Sequence, residues 1–319
     1  MKTTIGTNIQ KAISLLKEGE TVAIPTETVY GLAADSTNED AVLKIFEAKG
    51  RPTSNPLILH FPRIDAVYPY VAEFPEVLLH LASVFCPGPL TFILPKSSLV
   101  PSIITAGQET VAVRIPEHPM TLELLKQIDF PLAAPSANRY GGISPTTAAH
   151  VESQLANRIP YILDGGPCET GLESTIVGLS DGKVIVYRLG GVSIENLSEA
   201  LGYVPEIKNE LHHGVVTSGM VKYHYATETP LFFMQEDKDT YADSDGFILF
   251  SRSNTHAISN ESYYLSDSGE MAQAAKNLYA ALHEMDQRGY SRIFIEAFPN
   301  DGLGKTMNDR LRRATAKFT

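Results

Sequence analysis

The chain has no tryptophan and only two cysteines, Cys86 and Cys168, which stand in unrelated contexts with no C-x-x-C pair. This excludes a disulfide framework and a cysteine-based zinc site, and it points to a reducing compartment, the cytosol. An excess of positive charge is also missing. Lys and Arg number 26 against 37 Asp and Glu, a formal net charge of -11, and neither half of the chain is basic, with 14 against 21 up to residue 205 and 12 against 16 beyond it. A nucleic-acid-binding surface is therefore disfavoured, although a few converging cations can still make a local positive cleft. No run of ~18 apolar residues occurs, and the opening MKTTIGTNIQKAISLLKEGE has no apolar core of the kind a secretory leader carries, so neither membrane spanning nor secretion is expected.

What is present is an ordinary globular balance, 43% hydrophobic and 20% charged over 319 residues, long enough for two packed domains. Helical spacing over Ile9 to Lys17 gives way at Gly19 to TVAIP, which has the β-branched character of a buried strand. Asn38 is placed to cap a helix ending at Gly50, and LILHF at 57 to 61 reads as the next strand. The alternation continues with helices near 75 to 85, 119 to 127, 146 to 157 and 193 to 201, and with strands TFILP, VAVRIP, YILDGG, STIVGL and VIVYRL. This predicts an α/β domain with a mixed sheet over residues 1–205. Residues 206–229 lose periodicity and read as a linker, and from 230 to 319 strands LFFM, GFILF and RIFIEAF alternate with helices near 268 to 288 and 307 to 316, a pattern expected of a smaller Rossmann-like domain. GLGKT at 302 to 306 imitates a phosphate-binding loop, but Pro299 stands where G-x-x-x-x-G-K-[ST] needs its first glycine.

Several segments carry candidate chemistry, and each admits a plain structural reading. In KGRPTSNP, Lys49 and Arg51 flank a glycine at a helix end, which suits a polyphosphate but equally suits a helix C-terminus facing solvent. In APSAN, Ser136 and Asn138 offer a hydroxyl and an amide at a strand end, or an ordinary turn satisfying its own backbone. PTETVYGL brings Thr26, Thr28 and Tyr30 toward a possible pocket, and ESTI delivers Ser174 from a glycine-rich turn. Arg114 in VAVRIP and Arg188 in VIVYRLGG sit in apolar strands, so each needs an anionic partner, either an internal carboxylate or a ligand. His60 in LILHF is a candidate of the same kind.

Together PTETVYGL, KGRPxxNPL, PGPLTFIL, VAVRIP, APSAN, LDGG and ESTI, in that order, resemble the YrdC-like family of L-threonylcarbamoyladenylate synthases, specifically its longer two-domain members. The resemblance extends over essentially the whole chain. It implies conversion of ATP, bicarbonate and L-threonine to threonylcarbamoyl-AMP and pyrophosphate, with Mg2+ accompanying ATP, for threonylcarbamoyladenosine modification of ANN-decoding tRNAs. It places Lys49, Arg51, Ser136 and Asn138 as the catalytic tetrad. Arg51, Asn55, Thr110, Ser136, Arg188 and Tyr225 would contact the nucleotide, with Lys49 and Asn138 completing the phosphate site. Thr28, His60, Arg114 and Ser174 would contact threonine. No side-chain metal site is implied, direct tRNA binding is expected to be weak, and the product is handed to a tRNA threonylcarbamoyl-transferase complex. The linker TSGMVKYHYAT keeps Gly219, Met220, His224, Tyr225 and Ala226 of the family pattern SPGMKYRHYAP and would serve as a lid. A non-catalytic RNA-binding module disagrees with the acidic charge, and the related hydrogenase-maturation carbamoyltransferases need zinc fingers that two cysteines cannot supply.

Overall fold

A computed structural model describes residues 2–209, 224–235, 241–252 and 262–319. The first sheet is formed by β1 (Thr4–Gly6), β2 (Val22–Ile24), β3 (Gly31–Asp35), β4 (Ile58–His60), β5 (Leu90–Pro95), β6 (Thr110–Arg114), β7 (Leu132–Ala133), β8 (Tyr161–Leu163), β9 (Thr175–Ser180), β10 (Lys183–Arg188) and β11 (Glu206–Ile207). Their spatial order is β1-β8-β2-β3-β7-β4-β6-β5-β9-β10-β11, and parallel and antiparallel neighbours mix along it. The helices are α1 (Ile9–Lys17), α2 (Glu39–Lys49), α3 (Glu76–Phe85), α4 (Ser102–Thr105), α5 (Pro119–Lys126), α6 (Ala148–Leu155) and α7 (Ile194–Leu201). Apolar side chains fill both faces of the sheet: Leu32, Leu59, Phe92 and Val113 belong to one cluster, while Ile24 and Leu132 pack under Ala12 and Leu16 of α1.

Local chemistry sets the elements around the site. The Asn38 side chain accepts from the Asp40 and Ala41 N–H groups, starting α2, and Gly50 ends it in the left-handed conformation at φ 63, a position a side chain would strain. On either side of that glycine, Lys49 bonds to the Ser136–Asn138 loop and Arg51 to its own loop at Asn55 and Pro56. The PTET segment is fixed by Thr26, whose Oγ1 donates to the Val29 carbonyl at 2.6 Å and accepts from the Thr28 and Val29 N–H groups. Tyr30, a pocket candidate by sequence, turns away from Thr28, and its hydroxyl donates to the Gly166 carbonyl at 2.7 Å.

The second sheet, β12-β15-β13-β14, is parallel throughout and consists of β12 (Leu231–Phe233), β13 (Asp245–Ser251), β14 (Ser262–Ser266) and β15 (Arg292–Ile295). Two helices, α8 (Met271–Gln287) and α9 (Gly302–Thr315), pack with it. The all-parallel alternation accords with the Rossmann-like expectation. α9 starts about a turn before the expected 307, so GLGKT lies within the helix rather than in a turn. Gly304 is required there because a Cβ would stand 2.2 Å from the Pro299 carbonyl oxygen, and Thr306 Oγ1 donates to the Gly190 carbonyl of the first domain at 3.2 Å. Of the expected linker, Gly219 and Met220 lie outside the described residues. Glu206 and Ile207 pair with β10, and Ala226 bridges Gly142.

Candidate active site

A cleft of about 550 Å³, its open mouth included, lies where the ends of β4, β6 and β10 meet the loops after β2 and β7. Thr28, Arg51, His60, Arg114, Ser136, Ser174, Arg188 and Tyr225 all line it, which brings together eight residues that the sequence spreads over nearly 200 positions. Arg114 and His60 are register partners on β6 and β4. Arg114 Nη2 donates to Glu27 Oε1 at 2.6 Å and its Nε to the Gly88 carbonyl at 3.4 Å. The buried Arg114 thus has an internal carboxylate partner, one of the two readings its sequence context leaves open. Glu27 Oε2 in turn accepts from the Glu117 N–H, which fixes the acid. Burial drives the His60 imidazole down to about 3 and Arg114 adds repulsion, so His60 is neutral near pH 7.

Beside Arg114, whose register partner on β5 is Thr91, a hydroxyl–guanidinium chain orients the wall. Thr91 and Ser174 share a hydrogen bond of 2.7 Å, and Arg188 donates through Nη2 to Ser174 Oγ at 3.0 Å and to the Ser174 carbonyl at 2.8 Å. Arg51 donates through Nη2 to the Pro56 carbonyl at 3.0 Å and weakly through Nε to that of Asn55. Burial lowers both guanidiniums to about 10, and Arg51 and Arg188 also repel one another.

Four expected site residues stand behind or beside the cleft. Lys49 Nζ donates to the carbonyls of Ser136 at 2.5 Å and Asn138 at 2.6 Å, and the Asn138 side chain donates to those of Arg139 and Gly142. Lys49 and Asn138 thereby hold the Ser136 loop from within. Burial, with repulsion from Arg51, depresses the Lys49 ammonium well below its usual range. Asn55 donates from Nδ2 to the Tyr140 hydroxyl at 3.0 Å, next to Arg51. Thr110 opens β6, four residues and thus ~13 Å along the strand from Arg114.

Sequence reasoning missed the acids and the second domain's contribution. Glu173, beside Ser174, lines the cleft and accepts from Ser144 Oγ at 2.7 Å, Tyr279 Oη at 2.9 Å and Arg310 Nε at 2.9 Å. Burial by itself would raise this carboxyl, but Arg310, Arg188 and the Ser144 hydrogen bond hold it down at about 2. Tyr225 is stacked on Tyr279 at 5.6 Å with Arg310 over its ring at 5.3 Å, and it keeps the left-handed φ of 64 that β-substituted residues avoid. His224 packs edge-on against Tyr225, and its buried Nδ1 has no hydrogen-bond partner among the described residues. An orphaned polar atom at a cleft wall is a mark of a ligand site.

Residues 14–190 match the Sua5/YciO/YrdC family, described as telomere recombination, and residues 192–316 match the threonylcarbamoyl-AMP synthase C-terminal domain. The chain belongs to the threonylcarbamoyl-AMP synthase family. A protein of that name from Pyrococcus abyssi is 37% identical over 320 residues, covering 96% of this chain and 94% of its own. Its Bacillus subtilis namesake is 38% identical over 319 residues, covering 96% and 92%. The crystal structure of P. abyssi Sua5 complexed with L-threonine matches with a TM-score of 0.86 at 34% identity, over 98% of this chain and 97% of that one. Both domains of the family are thus present in this chain, and no helix among its described residues is long and apolar enough to cross a membrane.

Proposed function

We infer that this chain is a nucleotidyltransferase that forms threonylcarbamoyl-AMP and pyrophosphate from L-threonine, bicarbonate and ATP. The observation that carries the reading is one cleft lined by a carboxylate-fixed arginine with hydroxyls beside it and by two further buried guanidiniums, Arg51 and Arg188. Arg114, held by Glu27, would take the threonine carboxylate, with Thr28, His60 and Ser174 around the side chain and amine. Arg51, Ser136, Arg188 and Tyr225 would receive the nucleotide, with Lys49, Asn138, Asn55 and Thr110 supporting them. The threonine amine attacks bicarbonate carbon and water leaves, giving a carbamate. A carbamate oxygen then attacks the α-phosphorus, the α–β bridging bond breaks, and pyrophosphate departs with the electron pair. No protein nucleophile is needed, so catalysis falls to positioning and to charge stabilisation on the phosphoryl oxygens.

Mg2+ fits this scheme as part of the incoming Mg-ATP. Among the described residues no group of three or more His, Cys, Asp or Glu could hold a metal, and the cleft's own carboxylate, Glu173, is engaged by Arg310. The ion would neutralise phosphate charge. The product would pass in the cytoplasm to a tRNA threonylcarbamoyl-transferase complex that modifies ANN-decoding tRNAs, with weak direct tRNA binding by this acidic chain.

Threonine- and bicarbonate-dependent pyrophosphate release from Mg-ATP tests the reading. The purified protein should release it, and Arg51→Ala should lower the rate ~100-fold or more. Release that is absent, or equal without threonine, would overturn the assignment.

A further inference from the structure

The second domain reaches the cleft wall through Tyr279 and through a fully buried cation. Arg310 on α9 is 1% exposed, and its guanidinium bridges two neighbours of cleft residues. Nε donates to Glu173 Oε2 at 2.9 Å and Nη2 to the Leu189 carbonyl at 2.5 Å, while Asp309 steadies Nη1 at 2.7 Å. Glu173 precedes Ser174 and Leu189 follows Arg188, and Ser174 and Arg188 are themselves hydrogen-bonded. A single fork therefore brackets the pair that builds one wall of the cleft.

We propose that Arg310 is a positioning residue of the first domain's cleft: by pairing with Glu173 and the Leu189 carbonyl it keeps Arg188 and Ser174 aimed at an anionic substrate instead of at an internal acid. The proposal rests on the reading of the cleft as an ATP site. Among the described residues, the charged and titratable groups around Glu173 are Arg310 and, through it, Asp309 on α9, Tyr279 on α8, Arg188 on β10, and His224 and Tyr225 between the domains. Among the described residues, removing Arg310 leaves Arg188 as the remaining guanidinium that acts on Glu173. A buried carboxylate that loses its partner either recruits another cation or takes up a proton. Recruitment of Arg188 opposes binding of phosphate, whereas protonation relieves that opposition.

The test compares Arg310→Met, Arg310→Lys and the double variant Glu173→Gln/Arg310→Met with the unaltered protein, at pH 6 and pH 8. Two readouts are taken, kcat/KM for Mg-ATP and Mg-ATP affinity by calorimetry. Arg310→Met should lose roughly tenfold or more at pH 8 and clearly less at pH 6, relative to the unaltered protein at each pH. Adding Glu173→Gln should recover most of the loss and flatten the pH dependence. Arg310→Lys keeps the charge without the fork, so it should lose less and show little pH dependence, and it serves if Arg310→Met fails to fold. A loss that is equal at both pH values and not recovered by Glu173→Gln would overturn the proposal and leave Arg310 as a plain domain tie. If the unaltered protein binds Mg-ATP but releases no pyrophosphate, the activity reading fails, while the affinities still decide the role of Arg310.

Discussion

At the scale of single residues, the cations of the cleft divide by what they touch. Arg51 and Arg188 line it, whereas the Lys49 ammonium is buried against two carbonyls and faces the protein. Lys49→Ala should therefore lose stability as well as activity, since the Ser136 and Asn138 carbonyls would be left without their donor at ~1 to 3 kcal/mol. Arg51→Ala, whose carbonyl acceptors Asn55 and Pro56 lie only four and five residues along its own loop, should lose activity with a smaller shift in urea midpoint. Parallel urea titrations of the two variants check this, and equal midpoints would refute the division. The sequence showed which residue types to watch, because lysine and arginine at a helix end and arginine inside apolar strands are legible anomalies. It did not show that Arg114 pairs with Glu27, 87 positions away, or that Arg310 in the run RLRRATA is buried rather than a solvated helix charge. Partners of that kind depend on chain packing and leave no local pattern.

Among the elements, those with strong periodicity were readable: α1 spans the expected Ile9–Lys17, α2 is capped by Asn38 as its sequence indicates, and α3 and β5 fall within a residue or so of expectation. The strands β1, β3 and β14 were not read from the sequence, since a three-residue edge strand, a Gly-Leu-Ala-Ala stretch and a polar Ser-Tyr-Tyr run carry little alternation. One close approach between elements supports a test. Gly171, at φ 73, lies against α8 so tightly that a Cβ would meet the Lys276 backbone at 2.4 Å, whereas Gly202, at φ 75 at the end of α7, has nothing within 4 Å. Gly202→Ala should cost only the ~1 kcal/mol of an unfavourable φ. Gly171→Ala should cost several times more, because α8 must also retreat from the cleft wall. Thermal melts of the two variants measure the contrast, and similar losses would mean that α8 yields freely.

Across the whole molecule, the buried histidines make stability depend on pH in one direction. Burial takes His60, His224 and His283 to about 3, against a usual 6.5. In each case the unfolded chain binds a proton in the window from about 6.5 down to about 3 and the native chain does not, so unfolding takes up protons and stability falls as pH falls. Glu173, held at about 2 against a usual 4.5, adds a loss of the same sign from about pH 4.5 downward. Each fully buried imidazole contributes at most ~1.4 kcal/mol per pH unit inside its window. Urea midpoints should therefore be flat from pH 8 to 7 and decline clearly by pH 5. A midpoint unchanged between pH 7 and pH 5 would refute neutral burial of these rings. His150 and His283 stack across the two domains at 4.1 Å, so the decline should include parting of that interface.

The bridge from Arg310 to Glu173 also bears on inheritance. The acid sits in one sheet's domain and its counter-charge in the other's, and neither is comfortable alone. A chain descended from the same ancestor but built from the first sheet only would carry a bare carboxylate beside Arg188, without the second domain's counter-charge. Loss of the second domain and replacement of that glutamate by an uncharged residue should then travel together through a lineage, as two halves of one event.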